Sequence, residues 1–220
     1  MRAGVVLCPG RTGDVDGLAW LTDALEAAGA AVEPVVYDPA ARYLEGDVPV
    51  ALAARERLHE RLGPDAPVFV CGHSRGGTVA LLAAAEDDGW GGVMALSATS
   101  DQRHLVRGLR EFAPSRHATM ISARGGVTPE ADAGYYRRTS PLLQAARITC
   151  PVLLVHGTLD LVVPHDHSRW LADELTDVEL VLLEGLGHFF DRPYRGNDFP
   201  AVIEPVTGWM ARHTPTRSLT

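Results

Sequence analysis

The stretch that decides the fold is Val68-Phe69-Val70-Cys71-Gly72-His73-Ser74-Arg75-Gly76-Gly77-Thr78-Val79-Ala80-Leu81-Leu82. It opens with an apolar run typical of a buried strand and closes with residues typical of a helix. A strand that passes directly into a helix forces the residue between them into a strained conformation, which requires small residues on either side. Gly72 and Gly76 meet this requirement, so the sequence predicts that Ser74 is lifted clear of a sheet.

Short apolar runs alternate with helix-like stretches along the whole chain. The runs are largely continuous, as expected of strands that are covered on both faces in a parallel sheet. The pattern predicts the α/β class, with a doubly wound, mostly parallel sheet of about six strands. The predicted strands lie at residues 3–8, 32–36, 68–71, 93–96, 152–155 and 178–183, and the predicted helices at 18–28, 52–62 and 79–85.

One long stretch interrupts this alternation. Residues 98–147 contain no obvious central strand, although a simple crossover needs far fewer residues. Helical spacing over residues 103–112 and the pair Tyr135-Tyr136 favour a partly helical cap insertion over a disordered loop. We expect a single domain over residues 1–213 that contains this cap, followed by a flexible tail over residues 214–220.

The charge of the chain excludes several classes of function. The net charge is −8, which opposes binding to nucleic acid, and all 20 basic residues are arginine. Without lysine the chain can form neither a Schiff base nor the lysine contact of a phosphate-binding P-loop. We therefore expect no nucleic-acid partner and no cofactor.

The apolar segments and the cysteines indicate a cytoplasmic protein. No apolar run approaches the roughly 18 residues that a membrane-spanning helix needs, and no signal peptide is visible. The three cysteines, Cys8, Cys71 and Cys150, each adjoin a strand-like apolar run, which is typical of buried thiols rather than of a disulfide framework. We expect a soluble protein that does not bind membranes.

The chain also carries the partners that a nucleophilic serine needs. A hydroxyl is a poor nucleophile at neutral pH, so Ser74 requires a histidine base and an acid that orients it. Asp160 follows the apolar run at 152–155, and His188 follows the run at 178–183, so both belong to loops at strand ends. With the order serine, acid, histidine, we predict Ser74, Asp160 and His188 as catalytic residues. Singly, Asp160 could be a turn residue and His188 an incidental loop residue.

Acyl transfer further requires two donors for the oxyanion. We predict the backbone N–H groups of Arg75 and Arg11 in this role, although the glycine-rich loop around Arg11 could be only a turn.

We expect no metal site. The pair His165 and His167 matches the start of a helix better than a metal site. The residues predicted to contact substrate are Gly10, Thr12, His73, Val162 and Phe189.

These motifs resemble the α/β-hydrolase family, in particular its branch of esterases, dienelactone hydrolases and prolyl-oligopeptidase-like enzymes, as a catalytic domain only. The similar segments are Gly72-His73-Ser74-Arg75-Gly76-Gly77, Tyr136-Arg137-Arg138-Thr139-Ser140-Pro141-Leu142 and the stretch from Cys150 to Pro164. The resemblance implies cleavage of an ester, thioester or amide through an acyl-enzyme. The chain departs from the family in lacking the usual N-terminal strand pair and in having Pro9-Gly10 where His-Gly is common.

The leading hypothesis is a serine hydrolase that cleaves a carboxylic ester or thioester of a small-molecule acyl substrate. An acyltransferase or biosynthetic cyclase with the same triad is the alternative, and a binding protein on a retired hydrolase fold is disfavoured by the intact triad. Arg103, Arg107 and Arg110 recur at helical spacing. They form either a solvated helix face or a contact for an anionic substrate or an acidic carrier protein.

Overall fold

A six-stranded sheet forms the centre of the computed structural model, which describes residues 2–10 and 15–215. The strands are β1 (Gly4–Cys8), β2 (Ala31–Pro34), β3 (Val68–His73), β4 (Gly92–Leu96), β5 (Val152–Gly157) and β6 (Val178–Leu183). Their order across the sheet is β2-β1-β3-β4-β5-β6, and every neighbouring pair is parallel. This arrangement confirms the predicted α/β class and the six predicted strands.

Burial explains why these runs form strands. Every residue of β1, β3, β4 and β5 is buried, which matches their continuous apolar sequence. The two edge strands, β2 and β6, are only partly buried and include a glutamate each. The sequence pattern therefore distinguishes the centre of the sheet from its edges.

Helices cover both faces of the sheet, so the fold is doubly wound as predicted. The helices are α1 (Ala19–Ala27), α2 (Val48–Leu62), α3 (Arg75–Glu86), α4 (Gln102–Phe112), α5 (Pro114–Ala123), α6 (Ala133–Arg138), α7 (Asp166–Glu174) and α8 (Pro200–His213). One apolar core packs α2, α3 and α7 against the sheet, and the other packs α1 and α8 against the opposite face. None of the helices described is long and apolar enough to cross a membrane.

The insertion at residues 98–147 is largely helical, as predicted. It contains α4, α5, α6 and a 3-10 helix at Pro141–Arg147. The Asp101 carboxylate begins α4 by accepting hydrogen bonds from the N–H groups of Arg103 and His104, at 2.8 and 3.0 Å. The cap forms two small apolar clusters, one around Leu105 that also includes Val163 after β5, and one around Tyr135. The domain boundary at residue 213 and the flexible tail stay predictions, and residues 216–220 of that tail lie outside the described part.

Several features differ from the sequence prediction, among them helix α8, which was not predicted, and α2, which begins at Val48 rather than at residue 52. A short antiparallel hairpin of β7 (Asp191–Arg192) and β8 (Gly196–Asn197) was not predicted, because two-residue strands carry no periodic signal. Helix α3 begins at Arg75 rather than at residue 79, so the glycines after Ser74 form its first turn. The three cysteines are free and buried, as predicted, and burial raises the pKa of the Cys8 thiol to about 12.

We predict that Phe69→Ala lowers the free energy of unfolding by about 3–5 kcal/mol, because it leaves a cavity in the core. Phe69 is fully buried in β3, and its ring meets Trp209 edge-on with 6.0 Å between centroids. Urea denaturation measures the change. The matched control is Phe112→Ala: Phe112 is 87% exposed, and its removal should change stability by less than about 0.5 kcal/mol. Equal effects of the two substitutions would contradict this account of the core.

Candidate active site

Ser74 occupies a sharp turn between β3 and α3. Its backbone is in the left-handed region, with φ 56° and ψ −114°, a conformation that costs a non-glycine residue about 1–3 kcal/mol. The Ser74 N–H donates to the carbonyl of Leu96 at 2.8 Å, which anchors the turn to β4. A Cβ on Gly72 would lie 2.3 Å from the carbonyl carbon of Gly76, and one on Gly76 would lie 1.9 Å from the carbonyl oxygen of Cys8. Only glycine fits at either position, as the motif predicts.

The three residues predicted as a triad form one hydrogen-bonded chain. His188 Nε2 lies 3.0 Å from Ser74 Oγ, and His188 Nδ1 lies 2.7 Å from Asp160 Oδ2. Asp160 belongs to the loop after β5, and His188 belongs to the loop after β6. Because β3, β5 and β6 are parallel, their carboxyl ends share one edge of the sheet, where the three side chains meet.

The Asp160 carboxylate is held in its ionised form. Oδ1 accepts hydrogen bonds from the N–H groups of Val162 and Val163, both at 2.8 Å, while Oδ2 lies 3.2 Å from His156 Nε2. Burial alone would raise the pKa of Asp160, but hydrogen bonds from His156 and His188 outweigh it and hold the pKa well below its ordinary value. The carboxylate is therefore charged at neutral pH and fixes the orientation of His188.

His156 contacts the candidate triad and was not among the residues predicted from the sequence. Its Nε2 faces two acceptors, Asp160 Oδ2 and the Val163 carbonyl at 2.9 Å, so this nitrogen carries the proton. Its Nδ1 accepts from the Ser168 hydroxyl at 2.7 Å. The available signal was its place at the end of β5, four residues before Asp160, with a side chain that would turn toward the same loop.

His73 supports the loop that carries His188. Its Nε2 lies 2.7 Å from the backbone carbonyl of His188, and the two rings are 4.9 Å apart between centroids. Burial and the neighbouring His188 lower the pKa of His73 to about 3, so the ring is neutral at physiological pH and donates through Nε2. The residue beside the nucleophile thus fixes His188 from its backbone side, while Asp160 fixes its ring.

A buried ion pair holds the residue after the nucleophile. The Arg75 guanidinium donates to both carboxylate oxygens of Asp47, at 2.8 and 2.7 Å, and lies between the rings of Tyr37 and Tyr43 at 4.3 and 4.5 Å. The Asp47 side chain is 1% exposed; burial raises the pKa of its carboxyl above the ordinary value despite the Arg75 contact. The pair fixes the first residue of α3, whose N–H is the predicted oxyanion donor. Arg11, the second predicted donor, lies outside the described residues.

A cavity of about 470 Å³ opens above Ser74, under the cap. Four of the five residues predicted to contact substrate line it, and the fifth, Thr12, lies outside the described residues. The predicted lining residues are Gly10, His73, Val162 and Phe189. The cap contributes residues that sequence reasoning missed, because the inward faces of α4 and α5 were not assigned. These residues are Gln102, Leu105, Arg116, Thr119 and Met120.

The described residues contain no cluster of three or more histidine, cysteine or acidic side chains placed to hold a metal. His165 precedes α7 and His167 lies in its first turn, which confirms that this pair marks a helix start. His167 is buried, and its Nδ1 accepts from the N–H of Ser100 at 3.3 Å.

The sequence profile of the prolyl oligopeptidase family matches residues 51–216. The chain belongs to the prolyl oligopeptidase family. This family member is similar to the uncharacterized peptidase YtmA of Bacillus subtilis, with 29% identity over 65% of this chain and 54% of that protein. It is also similar to a monoacylglycerol lipase of Mycolicibacterium smegmatis, with 27% identity over 68% of this chain and 64% of that protein. The chain thus spans 54% and 64% of the lengths of these two relatives.

Solved structures agree on the fold of this prolyl oligopeptidase family member. The acylaminoacyl peptidase of Pyrococcus horikoshii superposes with a TM-score of 0.77 and 18% identity, covering 100% of this chain and 38% of its own. The family match and the shared fold identify the chain as an α/β-hydrolase-fold member of this family. The resemblance drawn from the sequence motifs is therefore confirmed.

We predict that Asp47→Ala lowers the free energy of unfolding by about 3–5 kcal/mol, because it removes the buried carboxylate that pairs with the Arg75 guanidinium. The matched control is Glu130→Ala, which removes a carboxylate 3.1 Å from Arg107 on the surface and should leave the urea midpoint unchanged. Chemical denaturation of both variants measures the difference. If Glu130→Ala shifted the urea midpoint as much as Asp47→Ala does, burial would not explain the stabilisation by the Asp47–Arg75 pair.

Proposed function

We propose that the chain is a serine hydrolase that cleaves a carboxylic ester or thioester through an acyl-enzyme on Ser74. The observation that carries the proposal is the continuous hydrogen-bonded chain from Ser74 through His188 to Asp160 at the floor of the cavity. A serine, a histidine and a charged carboxylate in this arrangement supply a nucleophile, a base and the group that orients the base.

In the first half of the proposed reaction, Ser74 Oγ attacks the carbonyl carbon of the ester while His188 Nε2 takes the hydroxyl proton. Asp160 stabilises the imidazolium that forms. The negative charge on the carbonyl oxygen meets the N–H of Arg75 at the start of α3, where the helix dipole favours an anion. His188 then gives its proton to the leaving alkoxide or thiolate, and the acyl group stays on Ser74.

In the second half, water replaces the leaving group. His188 Nε2 takes a proton from the water as its oxygen attacks the acyl carbon, and the same nitrogen returns the proton to Ser74 Oγ as the ester bond breaks. The carboxylic acid leaves and the starting state is restored. Each step needs His188 within hydrogen-bond distance of the serine oxygen, which the 3.0 Å separation provides.

Peptide cleavage is the second candidate, favoured by the prolyl oligopeptidase profile and by the similarity to a protein described as a peptidase. The same acyl-enzyme chemistry applies, with an amine as leaving group. Transfer of the acyl group to an acceptor other than water stays a prediction from the sequence. Binding of an acidic carrier protein also stays a prediction. Arg107, one of the arginines predicted to contact it, already pairs with Glu130.

We predict that a fluorophosphonate probe labels Ser74 covalently and that Ser74→Ala abolishes labelling, because the probe reacts with an activated serine. His188→Ala should also lose labelling, and Asp160→Asn should reduce kcat for ester hydrolysis by about 10⁴-fold. Mass spectrometry of the labelled peptide identifies the site. The control is Ser115→Ala, an exposed serine on α5, which should label like the wild type. Labelling that persists in Ser74→Ala would overturn the proposal.

A second prediction separates ester from peptide cleavage. The para-nitrophenyl ester of a given acid should be hydrolysed, while the para-nitroanilide of the same acid should not exceed the Ser74→Ala background. Release of nitrophenol and nitroaniline is followed by absorbance. Anilide cleavage that depends on Ser74, with kcat/KM within about tenfold of the ester, would favour the peptidase assignment instead.

A further inference from the structure

Arg124, which directly follows α5, is a buried cation with no carboxylate partner in the described ranges. It is 1% exposed, and no carboxylate of the described residues forms an ion pair with it. Its Nε is buried without a hydrogen-bond partner in the described part of the chain. Burying a guanidinium is costly unless an anion compensates it, so the cap carries a charge that the described fold does not neutralise.

The contacts of Arg124 place this charge directly behind the wall of the cavity. Its Nη1 donates to the carbonyl of Met120 at 2.8 Å, and its Nη2 donates to Gln102 Oε1. Its guanidinium carbon lies 4.6 Å from the centre of the Tyr43 ring. Met120, Gln102 and Tyr43 all line the cavity above Ser74.

Arg124 determines the orientation of the Gln102 amide. A guanidinium has only donors, so the amide oxygen must face it, and the amide nitrogen faces away. The Gln102 side chain is nearly fully buried, and its backbone N–H donates to Ser140 Oγ at 2.9 Å, which fixes the residue at the start of α4. No described residue accepts a hydrogen bond from Nε2. A group bound in the cavity that Gln102 lines would supply the acceptor that the Nε2–H donors lack in the described part of the chain.

The charges around the cavity favour an anion as that group. The ionisable side chains in its lining include Arg75 and Arg116, and no aspartate or glutamate is among the described residues that line it. Arg75 is paired with Asp47. Arg116 donates to the Leu161 carbonyl at 3.2 Å and pairs with no carboxylate in the described ranges. Arg116 in the lining and Arg124 behind the wall therefore place two positive charges beside the cavity that no described carboxylate pairs with.

We propose that Gln102, oriented and polarised by Arg124, binds a carboxylate on the substrate, so that the cavity selects esters that carry a second, anionic group. The inference rests on the proposed ester hydrolase function of Ser74. Gln102 is the contact to substrate, Arg124 is a positioning residue that acts through it, and Arg116 adds positive charge at the wall. The carboxylate can belong to the acyl part or to the leaving group of the ester.

The test compares matched anionic and neutral esters. One pair varies the acyl part and consists of the para-nitrophenyl monoester of adipic acid and the para-nitrophenyl ester of adipamic acid. For the leaving group, the pair is the butyrate ester of para-hydroxybenzoate and that of para-hydroxybenzamide. We predict that the wild type has a kcat/KM at least about tenfold higher for the anionic member of one pair, because a hydrogen bond to a charged group contributes at least this much.

Variants of Gln102 assign that preference to the amide. Gln102→Leu should lower kcat/KM for the anionic ester by at least about tenfold and change the neutral ester by less than about twofold. Gln102→Glu should remove the preference, because its carboxylate pairs with Arg124 and offers the substrate no N–H donor. The control Gln144→Leu, at a glutamine outside the lining of this cavity, should change neither ester. Where Gln102→Leu does not fold, as judged by thermal melting, Arg116→Gln is the second variant and should lower kcat/KM for the anionic ester selectively.

The outcomes distinguish the two proposals. Hydrolysis of neither member of either pair above the Ser74→Ala background would overturn the proposed function itself. Hydrolysis of the neutral members at the same rate as the anionic ones, or faster, would leave that function standing and overturn the carboxylate site. An equal loss on both esters in Gln102→Leu would also overturn it, since that result shows a structural role alone.

Discussion

The close approach of the turn after β3 to the end of β1 is the constraint on which the rest of the structure depends. A side chain on Gly76 would lie 1.9 Å from the Cys8 carbonyl oxygen, so only a hydrogen lets α3 begin directly over the sheet. That approach forces Ser74 into a left-handed conformation and directs the N-terminus of α3 to the edge where β5 and β6 also end. Ser74 lies at this edge because the close approach of the backbones allows no other conformation of the turn. Asp160 and His188 lie beside it because β5 and β6, which precede them, are parallel to β3.

The sheet and the candidate triad could be predicted because both follow from local order along the chain. Continuous apolar runs marked the strands, and the loops after two of them carried Asp160 and His188. The contacts that hold this chain in place could not be predicted in the same way. Asp47 reaches Arg75 across 28 positions in sequence, and the two meet only because α2 packs beside α3. No periodic pattern indicates such a pair.

The contacts of the cap could also not be predicted from the sequence. Helical spacing predicted that residues 98–147 contain helix, but not which side chains of α4 and α5 face the cavity, because the packing of the two helices determines this. The sequence does not distinguish Arg124 from the other arginines. Its burial and its hydrogen bond to Gln102 are seen only in the structure. In the proposed function the triad supplies the chemistry and the cap selects the substrate, and the sequence predicts the cap less well than the triad.

The most direct test of the central claim is mass spectrometry of the intact chain after brief reaction with a para-nitrophenyl dimethylcarbamate. The carbamoyl group that this reagent leaves on a serine is hydrolysed slowly, so the covalent intermediate accumulates. We expect one carbamoyl group per chain, on the peptide that contains Ser74. This group should form far more slowly when His188 is replaced by alanine. Carbamoylation of another residue, or an equal rate in His188→Ala, would contradict this claim.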